Sequence, residues 1–204
     1  MNVTYRADYD LADAAAHTGK SLEAWFAIFD QRDGTKAGRR PLADFLMKEM
    51  KLDLWWATTA YVEYERARNL RKKDGSLAGY NICITKTIKA SAPQLYEAFT
   101  DPELLGQWFA THTKQDLTVG GRFENSDGNM GSYKKLQPGK GLAFTWEGQG
   151  QEQNSVVDVK LEAKGDNKSG LIITHDRIAN RAEADGLRQG WGEAVERLKQ
   201  FLEH

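Results

Sequence analysis

The sequence has 204 residues, of which 40% are hydrophobic and 28% are charged, and its formal net charge is -1. This composition is typical of a globular chain and excludes a disordered chain or a membrane-embedded protein. The 28 basic and 29 acidic side chains balance, so no net positive field attracts nucleic acid or an anionic membrane. We therefore expect neither nucleic acid nor a membrane as a partner. A single cysteine, Cys83, excludes an internal disulfide framework and predicts a cytoplasmic location.

The first 70 residues have the apolar periodicity of helices. Ser21, Pro41 and Asp53 mark the beginnings of three helices, and the third runs to about Leu70. The predicted inward residues of the third helix are Leu54, Trp55, Thr58, Tyr61 and Val62. A charged segment with two glycines follows at residues 71–79, which is typical of a domain boundary. The sequence therefore predicts a small all-α domain over residues 1–75 and a second domain over residues 80–204.

The second part alternates between short strands and turns. Residues 81–88 have one apolar face and predict a first strand, and two short helices follow from Ala92 and from Asp101. Further strand segments are separated by glycine-rich turns, which predicts an antiparallel meander. These segments span residues 121–125, 131–136, 142–147, 155–163 and 170–176.

The last segment has the clearest helical pattern. Its apolar residues recur at helical spacing and are Leu187, Trp191, Ala194, Val195, Leu198 and Leu202. Such a helix must bury its apolar face, and the sheet is the large apolar surface that remains. We therefore predict an α+β fold in which a curved antiparallel sheet surrounds a long C-terminal helix. A sheet and helix that do not close completely leave a cavity, and we expect room for a guest of about 300 Å³.

Aromatic residues are the candidate lining of this cavity. The predicted ligand-binding residues are Trp108, Phe109, Phe144, Trp146, His175 and Trp191. Aromatic faces give contact area without demanding a hydrogen bond, although each ring could equally be ordinary core. Strand parity places His175 on the same face as Leu171 and Ile173. There its imidazole could bind a ligand, or it could be a strand-end histidine that meets solvent or a backbone carbonyl.

Metal-ion, cofactor and catalytic motifs are not apparent in the sequence. The four histidines do not pair with one another or with Cys83 at the spacing of metal ligands; they are His17, His112, His175 and His204. We therefore predict no metal site and no cofactor. Because no convincing acid–base pair is present, we predict no catalytic residues and favour binding, with enzymatic activity left open.

Several segments resemble a known superfamily. Residues 88–93 and 95–102, followed by Trp108-Phe109, resemble the opening of the START-like (SRPBCC, Bet v 1-like) superfamily, which implies the helix-grip fold. Residues 120–123, 144–146 and 190–191 resemble the branch related to the C-terminal domain of heat-shock protein 90 ATPase activators. This resemblance implies either a hydrophobic small molecule in the cavity or a chaperone partner.

The N-terminal part has a weaker resemblance. Residues 18–26, Trp55-Trp56 and residues 64–68 are similar to a small uncharacterised domain of bacterial proteins, which brings no known activity. Residues 1–70 do not resemble the partner-binding N-terminal region of the activators. Three functions therefore stay open: a module that binds a hydrophobic or aromatic small molecule, a chaperone-interacting protein, and an enzyme of the cyclase or hydratase type. The first is favoured because the predicted lining is apolar.

Overall fold

The computed structural model describes residues 13–70, 79–110, 113–148 and 155–204. These residues form two compact units. The helical unit is the described part of Arg6–Tyr80 with Asn180–Ala182, and the sheet–helix unit is the described part of Asn81–Ala179 with Glu183–His204. His112 and most of the predicted joint, residues 71–78, lie outside the described residues. The domain boundaries at residues 75 and 80 therefore stay a prediction.

The described helical unit consists of five short α-helices. They are α1 (Ala14–Thr18), α2 (Leu22–Gln31), α3 (Gly34–Ala37), α4 (Arg39–Asp44), which continues into a π-helical turn (Phe45–Glu49), and α5 (Leu54–Ala67). Helices α2 and α5 are capped as the sequence predicts, whereas α4 begins at Arg39 and not at Pro41. The Ser21 side chain accepts a hydrogen bond from the backbone N–H of Ala24, which begins α2. Asp53 accepts two such bonds, which satisfy free N–H groups in the first turn of α5.

The core of the helical unit is aromatic, and one predicted inward position is wrong. Leu54 is 61% exposed, whereas Trp56, Ala60 and Tyr64 are buried. These three residues follow one another at a spacing of four and therefore form one stripe of α5. Leu54 is the first residue after the Asp53 cap and lies off this stripe.

The second half of the chain forms a sheet and three helices. In chain order these are β1 (Tyr80–Ile88), α6 (Ala92–Thr100), α7 (Pro102–Trp108), β2 (Thr113–Gln115), β3 (Arg122–Asn125), β4 (Met130–Gln137), β5 (Gly141–Trp146), β6 (Ser155–Ala163), β7 (Ser169–Ile178) and α8 (Arg181–Glu203). The three-residue strand β2 is absent from the sequence prediction because it is too short to show an alternating pattern. No described helix is both long and apolar enough to cross a membrane.

The strands form one antiparallel sheet in the order β1-β7-β6-β5-β4-β3-β2. Leu142 pairs with Val159, which pairs with Ile173, and all three are buried. This register brings the apolar positions of β5, β6 and β7 onto one face, as the alternation predicts. Helix α8 buries Trp191 and Leu198 on its own apolar stripe. The predicted fold class, a curved antiparallel sheet with a long C-terminal helix and helices before it, is confirmed.

Local sequence signals determine where α6 and α7 begin. Ser91 and Gln94 form a capping box that begins α6, and Asp101 accepts two backbone hydrogen bonds that begin α7. Pro102 fits the first position of α7 because that position needs no backbone donor. Helix α7 runs from Pro102 to Trp108, and Phe109 follows as its C-terminal cap residue.

Two glycines of the sheet–helix unit should respond oppositely to alanine. A Cβ at Gly131 would lie 1.8 Å from the Thr145 carbonyl oxygen and 2.8 Å from the Phe123 ring, whereas a Cβ at Gly192 has nothing within 4 Å. We expect Gly131→Ala to lower the free energy of unfolding by about 3 kcal/mol through overpacking. Gly192→Ala should raise it by about 0.5–1 kcal/mol because alanine favours a helix interior. Urea unfolding measures both, and a neutral Gly131→Ala would contradict the β3–β4 register.

Candidate functional site

Two small cavities adjoin each other between the sheet, α7 and α8. The inner cavity has a volume of about 30 Å³, and its lining includes Trp108, Phe144 and Asn125. The outer cavity has a volume of about 40 Å³, and its lining includes Asp127 and Gly190. Three side chains line both cavities: Phe109, Trp146 and Trp191. We call these three the aromatic wall.

Phe109 is the most exposed member of the aromatic wall. Its ring stacks on Trp191 at a centroid separation of 5.3 Å and an interplanar angle of 13°, and it meets Trp146 edge-on at 6.0 Å. Trp146 and Trp191 are buried, whereas Phe109 is half-buried. The Phe109 backbone N–H donates to the Leu105 carbonyl oxygen, which is the last hydrogen bond of α7. Phe109 therefore lines both cavities from the end of a helix, together with Trp146 and Trp191.

A chain of hydrogen bonds fixes Trp191 to the sheet. Its indole Nε1 donates to His175 Nδ1 at 3.3 Å, and His175 Nε2 lies 3.1 Å from Ser155 Oγ. Ser155 Oγ donates to the Trp146 carbonyl oxygen at 2.9 Å. Because indole can only donate, Nδ1 must be the unprotonated nitrogen, so Nε2 carries the hydrogen and donates to Ser155. Each of these three hydrogen bonds therefore has a defined donor and acceptor.

The imidazole of His175 is neutral. It is fully buried, and this burial lowers its pKa to about 3. Neither cavity includes His175 in its lining, because Trp191 and Trp146 lie between it and the free space. His175 therefore positions Trp191, and no proton transfer to a molecule in either cavity follows from its location.

The structure brings all six predicted residues together, but five of them line a cavity and His175 does not. Trp108, Phe109, Phe144, Trp146 and Trp191 line at least one cavity. His175 shares their side of the sheet, as its strand parity predicts, but it meets neither solvent nor a cavity. Each of these two cavities is smaller than the expected room of about 300 Å³. The two spaces of about 30 and 40 Å³ are each closed down by aromatic rings.

Asn125 is a site residue that the sequence analysis missed. It is 5% exposed and lines the inner cavity at the end of β3. Two signals could have identified it. It shares strand parity with buried Phe123, and it begins the segment Asn-Ser-Asp-Gly-Asn, in which an asparagine side chain commonly bonds the turn backbone.

The Trp108 indole and the Tyr133 hydroxyl, which also belong to the lining of the inner cavity, have hydrogen-bond partners. Trp108 Nε1 donates to the Ala98 carbonyl oxygen at 2.9 Å, and Tyr133 Oη donates to Gln115 Oε1 at 2.7 Å. Burial raises the pKa of Tyr133 to about 12, so its phenol is neutral at ordinary pH. Within the described ranges, no group of three or more His, Cys, Asp or Glu residues could hold a metal ion. The lining is thus apolar and uncharged on its inner side.

Comparisons with known proteins identify relatives of the sheet–helix unit. Residues 89–203, more than half of the chain, match the family model described as Activator of Hsp90 ATPase homolog 1-like protein. Activator of 90 kDa heat shock protein ATPase homolog 1 from Mus musculus is 26% identical over 111 residues. That alignment covers 54% of this chain and 33% of the mouse protein, so the chain spans about a third of that relative.

Solved structures resemble the same region. CalU16 from Micromonospora echinospora is 25% identical with a TM-score of 0.55, over 60% of this chain and 75% of CalU16. An HSP90 activator from Plasmodium falciparum is 21% identical with a TM-score of 0.57, over 61% of this chain and 97% of that protein. At 21% identity, the likeness to the Plasmodium falciparum protein concerns the fold alone.

The neutral state of His175 predicts a stability change on acidification. The unfolded histidine has a pKa of about 6.5, so the unfolded state binds a proton that the folded state excludes. Lowering the pH from 7 to 4 should therefore reduce the free energy of unfolding, by at most about 1.4 kcal/mol per pH unit from this one group. Urea unfolding across this pH range measures the effect.

Two variants isolate the contribution of His175. His175→Gln, which cannot titrate, should be less stable at pH 7 and should have a shallower pH dependence than the wild type. His204→Gln removes an exposed histidine and should keep the wild-type dependence. If the free energy of unfolding had the same slope against pH in the wild type and in His175→Gln, the imidazole of His175 would bind a proton as readily in the folded protein as in the unfolded chain.

Proposed function

The chain belongs to the family of Activator of Hsp90 ATPase homolog 1-like proteins, and on that premise we propose that its sheet–helix unit binds a small apolar or aromatic molecule beside α8. The observation that carries this proposal is the pair of mainly apolar cavities that share the Phe109 ring in their lining. A guest that displaces this one ring joins the two spaces.

The position of Phe109 favours such a displacement. It follows the last residue of α7 and is half-buried, whereas Trp146 and Trp191 are buried and Trp191 is hydrogen-bonded to the sheet. Moving Phe109 therefore breaks ring contacts but no side-chain hydrogen bond. Gly186 and Gly190 of α8 line the outer cavity and add no side chain to it.

The lining favours an uncharged, flat guest. Rings from the sheet, α7 and α8 present faces and edges, and such surfaces pack best on another ring. The titratable group in the inner lining is Tyr133, which stays protonated because burial raises its pKa to about 12. A charged guest would lose its hydration without gaining a countercharge there.

Binding explains this site better than acid–base catalysis. A cyclase or hydratase needs a group that exchanges a proton with the substrate. His175, the candidate for that role, is neutral and lies behind Trp191. Asp127 lines the outer cavity, and the described lining of the inner cavity contains no carboxylate or imidazole.

Phe109→Ala should increase the affinity for a single-ring guest. Removing the ring joins the two cavities, and engineered apolar cavities of about 150 Å³ bind benzene. We expect the wild type to bind ethylbenzene weakly and Phe109→Ala to bind it at least about tenfold more tightly, with about 2–3 kcal/mol less stability. Shifts of the tryptophan indole N–H signals in ¹H–¹⁵N spectra measure the binding.

Phe201→Ala is the matched control for this experiment. Phe201 is a half-buried aromatic residue of α8 that lines neither cavity, so ethylbenzene should bind this variant as it binds the wild type. Binding by Phe109→Ala alone, with none by the wild type, would contradict the proposal, because the native ring would then not yield to a guest.

A second candidate function is regulation of an Hsp90-type chaperone, favoured by the identity shared with the mouse activator. The test is the ATPase rate of a purified Hsp90-family chaperone with and without this protein. Stimulation that an inhibitor of the chaperone abolishes is the result expected of an activator. An unchanged rate at saturating protein would exclude this function and leave the small-molecule proposal in place.

A further inference from the structure

The side-chain amide of Asn125 has a fixed orientation. Its Oδ1 accepts hydrogen bonds from the backbone N–H groups of Asp127 and Asn129, at 3.1 and 3.0 Å. Turning the amide over would place its NH₂ group against these two donors. The NH₂ group therefore has to point away from the turn.

The Nδ2 atom of Asn125 is buried and has no hydrogen-bond partner among the described residues. Asn125 lines the inner cavity, where the Trp108 indole and the Tyr133 hydroxyl already donate to partners elsewhere. Native proteins seldom leave a buried donor unpaired, because the group has given up its bonds to water. A side chain that lines this cavity thus carries an unpaired hydrogen-bond donor.

A resident water would be poorly held at this position. The space of about 30 Å³ is large enough for one water molecule. A buried water usually makes two to four hydrogen bonds, yet the described lining is mainly aromatic and aliphatic, and Asn125 Nδ2 is its one fully buried side-chain polar atom without a partner. A guest that brings both an acceptor and an apolar body would satisfy the donor and the lining together.

We infer that the guest is an aromatic molecule with an uncharged hydrogen-bond acceptor, such as a ketone or ether oxygen, and that Asn125 Nδ2 donates to this acceptor. The inference rests on the proposed function and narrows it to one class of ligand. Asn125 then determines specificity, because a guest without an acceptor leaves the donor unpaired.

Acetophenone and ethylbenzene are matched probes for this inference, since they differ by a carbonyl oxygen on the same skeleton. Asn125→Asp is the matched variant: one carboxylate oxygen keeps the bonds to Asp127 and Asn129, and the other replaces the donor by an acceptor. We expect Asn125→Asp to weaken acetophenone binding at least about tenfold and to change ethylbenzene binding by less than about twofold. Titrations followed by the tryptophan indole N–H signals measure all four affinities.

The wild-type protein gives a second measurement that does not depend on the stability of the variant. The Asn125 side-chain NH₂ signals should move downfield with acetophenone and stay in place with ethylbenzene. Binding of both probes with unmoved NH₂ signals and unchanged affinities in Asn125→Asp would overturn the inference alone. Binding of neither probe to the wild type would overturn the proposed function and this inference with it. Should Asn125→Asp fail to fold, the wild-type NH₂ signals decide.

Discussion

The indole of Trp191 is the contact on which the site depends. Its N–H donates to His175 on β7, its ring stacks on Phe109 after α7, and it meets Trp146 of β5 at a centroid separation of 5.5 Å. One side chain of α8 thus holds the sheet and the end of α7 in a common geometry. Because His175 is neutral and has a defined tautomer, the position of this indole is set by hydrogen bonds as well as by packing.

This arrangement explains why the site is apolar and nearly closed. Every aromatic ring that lines the cavities contacts another ring, and the free space consists of two volumes of about 30 and 40 Å³. Phe109 lines both volumes, and packing alone holds its side chain in place. Asn125 adds the polar element of the inner cavity, because the turn that follows β3 binds its carbonyl oxygen and leaves its amide nitrogen free.

Periodicity predicted most of the fold but not the depth of the site. The spacing along α8 and the alternation along β5, β6 and β7 identified the apolar faces, because both patterns follow from backbone geometry. Parity gave the side of the sheet on which His175 lies, but its burial behind Trp191 depends on a neighbour far away in sequence. Leu54 was misplaced for a different reason: several sets of residues along α5 fit an apolar stripe, and Leu54 lies off the stripe that is buried. Cavity volume was beyond prediction because it depends on ring orientations.

The set of protein groups that a bound probe touches tests the central claim most directly. In a nuclear Overhauser experiment on the wild-type protein with bound acetophenone, the account predicts contacts from the probe ring to both Phe144 and Trp191, together with loss of the contact between the Phe109 and Trp191 rings. Probe contacts confined to exposed residues, with the Phe109–Trp191 contact intact, would contradict it.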